Sequence, residues 1–314
     1  LDNLFQLSSI CTLEQLQQQF PTEESCIDFF YHMKWPSGFV CPHCSHTQEY
    51  LIRTRRLPLF ECLRCRHQTS LTAGTIMAGS RTSLHKWLTA IFLVSRTEQG
   101  INAVALSRII RVTYKTAWLI LHKIRQAIHI ADQSILLSGT TQVNTAVYGR
   151  PYNPYFRNHP SQHFLLAGSS LNDQGETSYL KIKLVSTLHV RNKMLQRAAA
   201  TAFSKQHIES TAANVEFVTG RFHPKRFRHL LAYAAQAGKF INDTFHGIGR
   251  KHLQLYLDEF CFKINLSLQH LPIFQHLTRL CANPGRVVAQ NMVALKPALS
   301  SGLPQPFQPS PPLS

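Results

Sequence analysis

The chain has 314 residues, and 33 Lys+Arg against 16 Asp+Glu give it a net charge of +17 and a pI near 9.8. Hydrophobic residues make up 44% of it, enough for at least one sizeable core and too many for a chain disordered along its whole length. No run approaches the ~18 apolar residues of a membrane span, so the positive surplus points to a polyanionic partner, nucleic acid before anionic membrane.

Residues 1–38 read as a helical segment, with "TLEQLQQQF" followed by "TEESCIDFFYHMKW". Thr22 can cap the second helix, and Glu23 and Glu24 suit the positive end of its dipole. Residues 39–80 hold two tight cysteine pairs, Cys41/Cys44 and Cys62/Cys65, separated by seventeen residues. Two such knuckles present four thiolates at the corners of a tetrahedron, the donor set of a structural Zn²⁺ with no open coordination position. The competing reading is four unrelated core cysteines. The intervening "TQEYLIRTRRLPLFE" has strand character, which makes the module a zinc ribbon. Arg53, Arg55, Arg56, Arg64 and Arg66 give it a basic surface suited to phosphate. Cys11, Cys26, Cys261 and Cys281 stand singly in apolar context and read as buried thiols, a usage that fits a reducing cytoplasm. No charged n-region with an apolar h-region opens the sequence, which also argues against secretion.

Residues 81–132 turn helical. Leu84, Trp87, Leu88, Ile91 and Phe92 fall on one stripe. In "INAVALSRIIRVTYKTAWLILHKIRQ" a short helix over roughly 102–109 precedes a turn, and a second helix begins at Thr113 as its cap. This is a helix-turn-helix cadence. The second helix would offer Tyr114 and Lys115 at the end that meets base edges, with Lys123 further along, while Ala117, Leu121 and Ile124 pack inward. Between residues 81 and 131 eight Lys/Arg face Glu98 alone. A plain helical hairpin with a solvated basic face is the alternative.

Residues 133–283 begin strand-like. In "TTQVNTAVY" Val143 and Val147 share one face and Asn144 projects from the other. "FLLAGSS" and "VEFVTG" read as further strands. "YLKIKLV" alternates Leu180, Ile182 and Leu184 with Lys181 and Lys183, the pattern of a half-buried strand. Helices return in "FRHLLAYAAQAGKF" and "RKHLQLYLDEFCFKINLSLQHL". In the latter, Leu253, Tyr256, Leu257, Phe260 and Ile264 define the buried stripe. Asp258 and Glu259 then point to solvent, Glu259 making an i, i+4 surface pair with Lys263. Residues 284–314 form a Pro/Ser-rich tail expected to be disordered.

Four of these stretches, "WPSGFVCPHC", "CLRCRHQTSLTAGTIM", "SLHKWLTAIFLV" and "KTAWLILHKIR", resemble the front half of bacterial insertion-sequence transposases of the ISXO type. "FINDTFHGIGRKHLQLYLDEFCFKIN" is similar to the signature near their C-terminal end, and the likeness runs from about residue 20 to residue 283. The resemblance implies an α+β fold in which a zinc ribbon and a helix-turn-helix precede an RNase H-like mixed α/β domain of the DDE type. It also implies double-stranded DNA at the element's terminal repeats as partner, homo-oligomeric action, and a cytoplasmic, nucleoid-associated location. In such a domain acidic residues gather two Mg²⁺ ions for in-line strand cleavage and transfer, balancing ~+4 of metal charge.

The chain departs from that pattern at the acids. Where family members carry Val-Glu-Val-Asp-Glu after "LSG", this sequence reads Thr141, Gln142, Val143, Asn144, Thr145, so Asn144 stands at the first catalytic Asp. The turn expected to hold the second runs from Thr219 straight to Gly220. The third position, aligned along "AYAAQAGKFIN", falls at Gln236, with Gly238 where a Lys often sits. An amide lends an oxygen but no charge, so Mg²⁺ affinity falls. Between residues 133 and 257 the acids are Asp173, Glu176, Glu209, Glu216 and Asp243. Glu216, between Val215 and Phe217, is the best-placed substitute, although a solvated strand face explains it as well. The expectation is a transposase-like DNA-binding protein with structural Zn²⁺ and impaired strand transfer, Mg²⁺ mattering only where activity persists. The alternative is a non-catalytic, transposase-derived DNA-binding or regulatory protein.

Overall fold

The computed structural model describes residue 7 and residues 10–97, 100–149, 162–191, 194–218 and 225–283. Helices α1 (Leu13–Gln19) and α2 (Glu23–Lys34) start at Thr12 and Thr22, each closing a capping box with the residue three positions on. Cys26, Phe29, Phe30 and Met33 form the buried stripe of α2. Glu23 does more than suit its own dipole. Its carboxylate accepts the backbone N–H groups of Leu84 (2.8 Å) and His85 (3.2 Å), and so caps helix α3 (Leu84–Ser95) from sixty residues away.

The antiparallel ribbon strands β1 (Glu49–Ile52), β2 (Leu59–Cys62) and β3 (Gln68–Ser70) lie against α2. Phe60 meets Tyr31 at 5.2 Å and Trp35 at 5.0 Å between ring centroids, and the Lys34 ammonium donates to the carbonyls of Ser70, Leu71 and Ala73. Helices α3, α4 (Ala103–Ile109) and α5 (Tyr114–Gln133) follow, capped by Ser83, Asn102 and Thr113. The stripe from Leu84 to Phe92 is buried. The last described helix, α9 (Ile273–Ala282), returns to this front half rather than staying with the elements that precede it. Its Phe274, Leu277, Leu280 and Cys281 join the core built from α2, α3 and α5, and Cys281 accepts a hydrogen bond from Ile76 N–H at 3.1 Å.

The second half is built on a four-stranded sheet. Strands β4 (Thr140–Tyr148), β5 (His163–Leu171) and β6 (Thr177–Leu184) pair antiparallel in succession. After a small hairpin, β7 (Val190–Arg191) with β8 (Met194–Leu195), helix α6 (Arg197–His207) leads to β9 (Asn214–Phe217), which lies parallel to β4. The order is β6-β5-β4-β9. Helices α7 (Arg228–Phe245) and α8 (Arg250–Leu268) cover one face, with Leu230, Ala234, Ala237, Ile241, Leu253 and Leu257 on Ala146, Leu165, Ala167, Leu180 and Ile182. Phe203 and Ala199 of α6 pack on Val143 and Leu166 of the other face.

The charges expected at the surface of this half are sealed inside it. Asp258 and Glu259 are 1% and 0% exposed, and Lys181 and Lys183 are 0% and 7% exposed. The apolar stripe of α8 is where its spacing put it, but the helix is buried on a second side as well, wedged between β6 and α5. From Tyr256 to Cys261 every position of the helix is buried, so its acids require partners. Asp258 takes Lys183 Nζ at 2.6 Å and His129 Nδ1 at 2.6 Å. Asp132, at the end of α5, takes Lys181 at 2.9 Å and also Lys183. Glu259 takes Arg125 Nε at 2.6 Å and lies 3.1 Å from Lys263, so the Glu259–Lys263 pair is buried rather than exposed. Of the single cysteines, Cys26, Cys261 and Cys281 are buried as expected. Cys11 is exposed, because it lies in the capping segment ahead of α1, where its N–H donates to the Gln15 side chain.

Two predictions follow from these pairs. Glu259→Gln leaves two buried cations short of their anion and is expected to cost about 3–5 kcal/mol in urea unfolding; a cost near the ~0.5 kcal/mol of an exposed i, i+4 pair would contradict the burial. Burial alone would push the Asp132 carboxyl up, but the Lys183 and Lys181 ammoniums overcome it and lower it from 3.8 to about 2. A depressed carboxyl stabilises the fold fully above its unfolded value and loses that contribution as pH falls through its folded one. Stability is therefore expected to fall between about pH 4 and pH 2, and Asp132→Asn to flatten that part of the acid unfolding curve.

Candidate metal centre and nucleic-acid interface

The two cysteine knuckles are built alike. Cys41 N–H donates to His46 O (2.9 Å) and Ser45 N–H to Cys41 O (3.0 Å); Cys62 N–H donates to His67 O and Arg66 N–H to Cys62 O, both at 3.0 Å. Ser45 (φ 59°) and Arg66 (φ 61°) take the left-handed conformation that closes each loop. The loops turn their sulfurs toward one another: Cys41 and Cys65 Sγ are 3.6 Å apart, Cys44 and Cys62 Sγ 3.5 Å, and all four lie within 4.8 Å. A tetrahedral Zn²⁺ with ~2.3 Å bonds sets sulfur–sulfur edges near ~3.8 Å, so the cage fits that ion. Among the described residues no other group of three or more His, Cys, Asp and Glu is placed to hold a metal.

The sulfurs of the cage oppose one another's ionisation. Burial pushes the Cys62 thiol up, but hydrogen bonds from the Cys65 and Arg64 backbone and from neighbouring thiols bring it down to about 7. At Cys65 a hydrogen bond from the His67 backbone favours the thiolate, yet burial and the adjoining sulfurs hold it at about 12. Further negative charge in so small a space calls for a cation, which a structural Zn²⁺ would supply.

The five arginines named from the sequence are all exposed on this module. Arg56 lies 3.8 Å from Glu23 and Arg66 3.2 Å from Glu61, whereas Arg53, Arg55 and Arg64 have no ion pair among the described residues. In the helical unit Ala117, Leu121 and Ile124 are buried, and Tyr114 and Lys115 are exposed at the start of α5. The turn between α4 and α5 is tightened by Arg111 (φ 50°), whose carbonyl accepts from Lys86 Nζ. Lys123 is placed differently: half-buried, it donates to Ala78 O at 2.8 Å and ties the segment after the ribbon to α5.

On the sheet, Asn144 is fully buried, its Nδ2 donating to Arg226 O (2.7 Å) and its Oδ1 accepting from Thr145 N–H (2.7 Å). Glu216 stands on β9 opposite Gln142, with its carboxylate 3.8 Å from Arg226 Nη2. Asn144 and Glu216 thus share Arg226 as a neighbour. Gln236 is not with them. The sheet-facing residues of α7 are Leu230, Ala234, Ala237 and Ile241, and Gln236 points outward between them. Thr219 and Gly220 lie outside the described residues. Two side chains beyond β9 escaped the sequence reading: Arg226, and His229, whose ring burial pushes toward the neutral form and whose Nε2 is 3.5 Å from Ser169 Oγ across from Gln142. The basic run "HPKRFRHL" was their only local signal.

Reduced, purified full-length chain is expected to carry about one zinc per molecule by elemental analysis. Cys62→Ser should lose the metal together with hydrogen-exchange protection of β1–β3. A ribbon equally protected without metal would contradict a structural role.

Residues 21–68 match the family model of the transposase zinc-ribbon domain, a span covering α2, both knuckles and strands β1 and β2. Neither the curated proteins nor the solved structures provide a match to the chain. The chain therefore carries a transposase zinc-ribbon domain at residues 21–68, in which helix α2 and the four-cysteine cage form one module.

Proposed function

We propose that this is a transposase-like protein of an insertion sequence that binds double-stranded DNA at the element's terminal repeats, with DDE-type strand transfer impaired. The observation that carries the reading is the four-cysteine cage inside a segment that matches the transposase zinc-ribbon domain. The exposed Arg53, Arg55 and Arg64 supply phosphate contacts. The exposed start of α5, with Tyr114 and Lys115 beyond a tight turn, serves as the recognition helix of a helix-turn-helix. The strand order β6-β5-β4-β9, with β9 parallel to β4, supports an RNase H-like domain over residues 133–283. No helix of the described residues is long and apolar enough to cross a membrane. A cytoplasmic, nucleoid-associated protein acting as a homo-oligomer fits this reading.

Impairment is argued from charge. A two-metal centre carries ~+4 and needs converging carboxylates. The position of the first acid is an amide committed to the backbone of Arg226, and Glu216 faces the guanidinium of that same residue. Gln236 faces elsewhere. Mg²⁺ enters the function only where residual cleavage persists. The commitment of Asn144 also favours a second reading, a non-catalytic regulator that occupies transposase sites.

The logarithm of the affinity for terminal-repeat duplex is expected to fall linearly with log salt, and Arg55→Ala to reduce that slope by about one, without changing sequence preference. Lys115→Ala should change which duplexes are preferred. Incubation of terminal-repeat DNA with Mg²⁺ or Mn²⁺ should give no specific cleavage. Specific cleavage abolished by Glu216→Gln would overturn the impairment and leave the DNA-binding reading intact.

A further inference from the structure

Helices α5 and α8 lie side by side and run in the same direction. Trp118 and His122 of one meet His252 of the other, Arg125 meets Glu259, and His129 meets Asp258. Their N-terminal ends therefore stand together at the surface, and four rings gather there. The His122 imidazole stacks on the Trp118 indole, with centroids 4.7 Å apart and planes 12° from parallel. His252 stands roughly perpendicular to both, 5.9 Å from Trp118 and 5.8 Å from His122. Tyr114 lies one turn before Trp118 on the same side of α5 and is 58% exposed.

These rings are not sealed in the core as the other tryptophans are. Trp35 and Trp87 are 5% and 1% exposed, whereas Trp118, His122 and His252 are each half-buried. Burial, with His252 and Arg125 nearby, holds His122 below its ordinary value, so its ring stacks as neutral imidazole. One face of the indole is thus covered. Among the described residues no ring stacks on the other, which helix geometry turns toward Tyr114. The charges in the first turns of the two helices have one sign: neither turn carries an acid, and Lys115 and Lys251 stand exposed there. A ring face flanked by ammonium groups matches a nucleotide, whose base offers a second face and whose phosphate offers an anion. In a closed duplex that base face is hidden in the stack, so the base must be unpaired.

We propose that Trp118, backed by His122 and flanked by Tyr114, is a stacking platform for an unpaired base of single-stranded DNA, with Lys115 and Lys251 taking the adjoining phosphates. The inference rests on the DNA-binding reading of α5 and adds a form of substrate to it, a strand end or an opened duplex.

The zinc-loaded full chain is titrated with a thymidine oligonucleotide of about 12 nucleotides, which forms no duplex, while indole fluorescence is recorded. Saturable quenching is expected, because Trp118 alone of the three tryptophans is open to a base. Trp118→Leu keeps an apolar side chain against the core and should abolish the quenching. Anisotropy of labelled DNA should show that variant binding the single strand about tenfold more weakly, with duplex affinity kept within about twofold. Should it fail to fold, Tyr114→Ala, at an exposed position, should weaken single-strand binding about fivefold while Trp118 still reports. Duplex bound with the single strand ignored overturns the platform and leaves the duplex reading standing. Neither bound overturns both. Single-strand affinity unchanged in the variants overturns the platform as well. So does an indole signal that follows protein concentration instead of oligonucleotide, which assigns the rings to a second copy of this chain.

Discussion

The arrangement of the chain depends on helix α8 being buried on two sides. One side packs on β6, the other on α5, so the helix joins the helical front half to the sheet. A helix in that position cannot keep its charges in water, and the molecule answers with paired ions that run from α5 through α8 to β6. Such pairs add little net stability compared with apolar packing, but they tolerate little misplacement. A slip of α8 by one residue would leave several buried charges unpaired at once. The pairs therefore act as a register lock between the two halves.

What could be read from the sequence was what local spacing determines. The cysteine pairs, the caps at Thr22 and Thr113 and the stripe from Leu84 to Phe92 each depend on residues within a few positions of one another, and each is found where the spacing put it. The apolar side of α8 was legible for the same reason. Its second buried side was not, because a run such as "LDEFCFKIN" carries no mark of a partner more than a hundred residues away. Lys123 and Glu23 share this character. Periodicity identifies them as polar surface residues, yet one holds the segment after the ribbon and the other caps a distant helix.

The candidate site on the sheet shows the same limit. The absence of acids at Asn144 and Gln236 was visible in the sequence, and so was the isolation of Glu216. The side chains that occupy the neighbourhood, the Arg226 guanidinium beside Glu216 and the His229 ring, which burial holds toward its neutral form, arrive from a segment beyond β9 and are brought in only by the fold. In a chain of net charge +17, the Arg226 guanidinium thus stands 3.8 Å from Glu216 in the place where the family resemblance calls for carboxylates.

Helix α9 has a consequence for the order in which the protein is made. The front core, begun by residues near the start of the chain, is completed by Phe274, Leu277, Leu280 and Cys281. A ribosome adds roughly 5–20 residues per second, so the interval between emergence of α5 and of α9 is on the order of ten seconds. During that time the ribbon can take up zinc while the surface of α3 and α5 that α9 will cover stays open. Completion of the helical front therefore waits for α9 to emerge, and a nascent chain that has not reached residue 282 presents an unfinished core. Built this way, the protein ties full assembly of its helical front half to a helix made some 140 residues after α5.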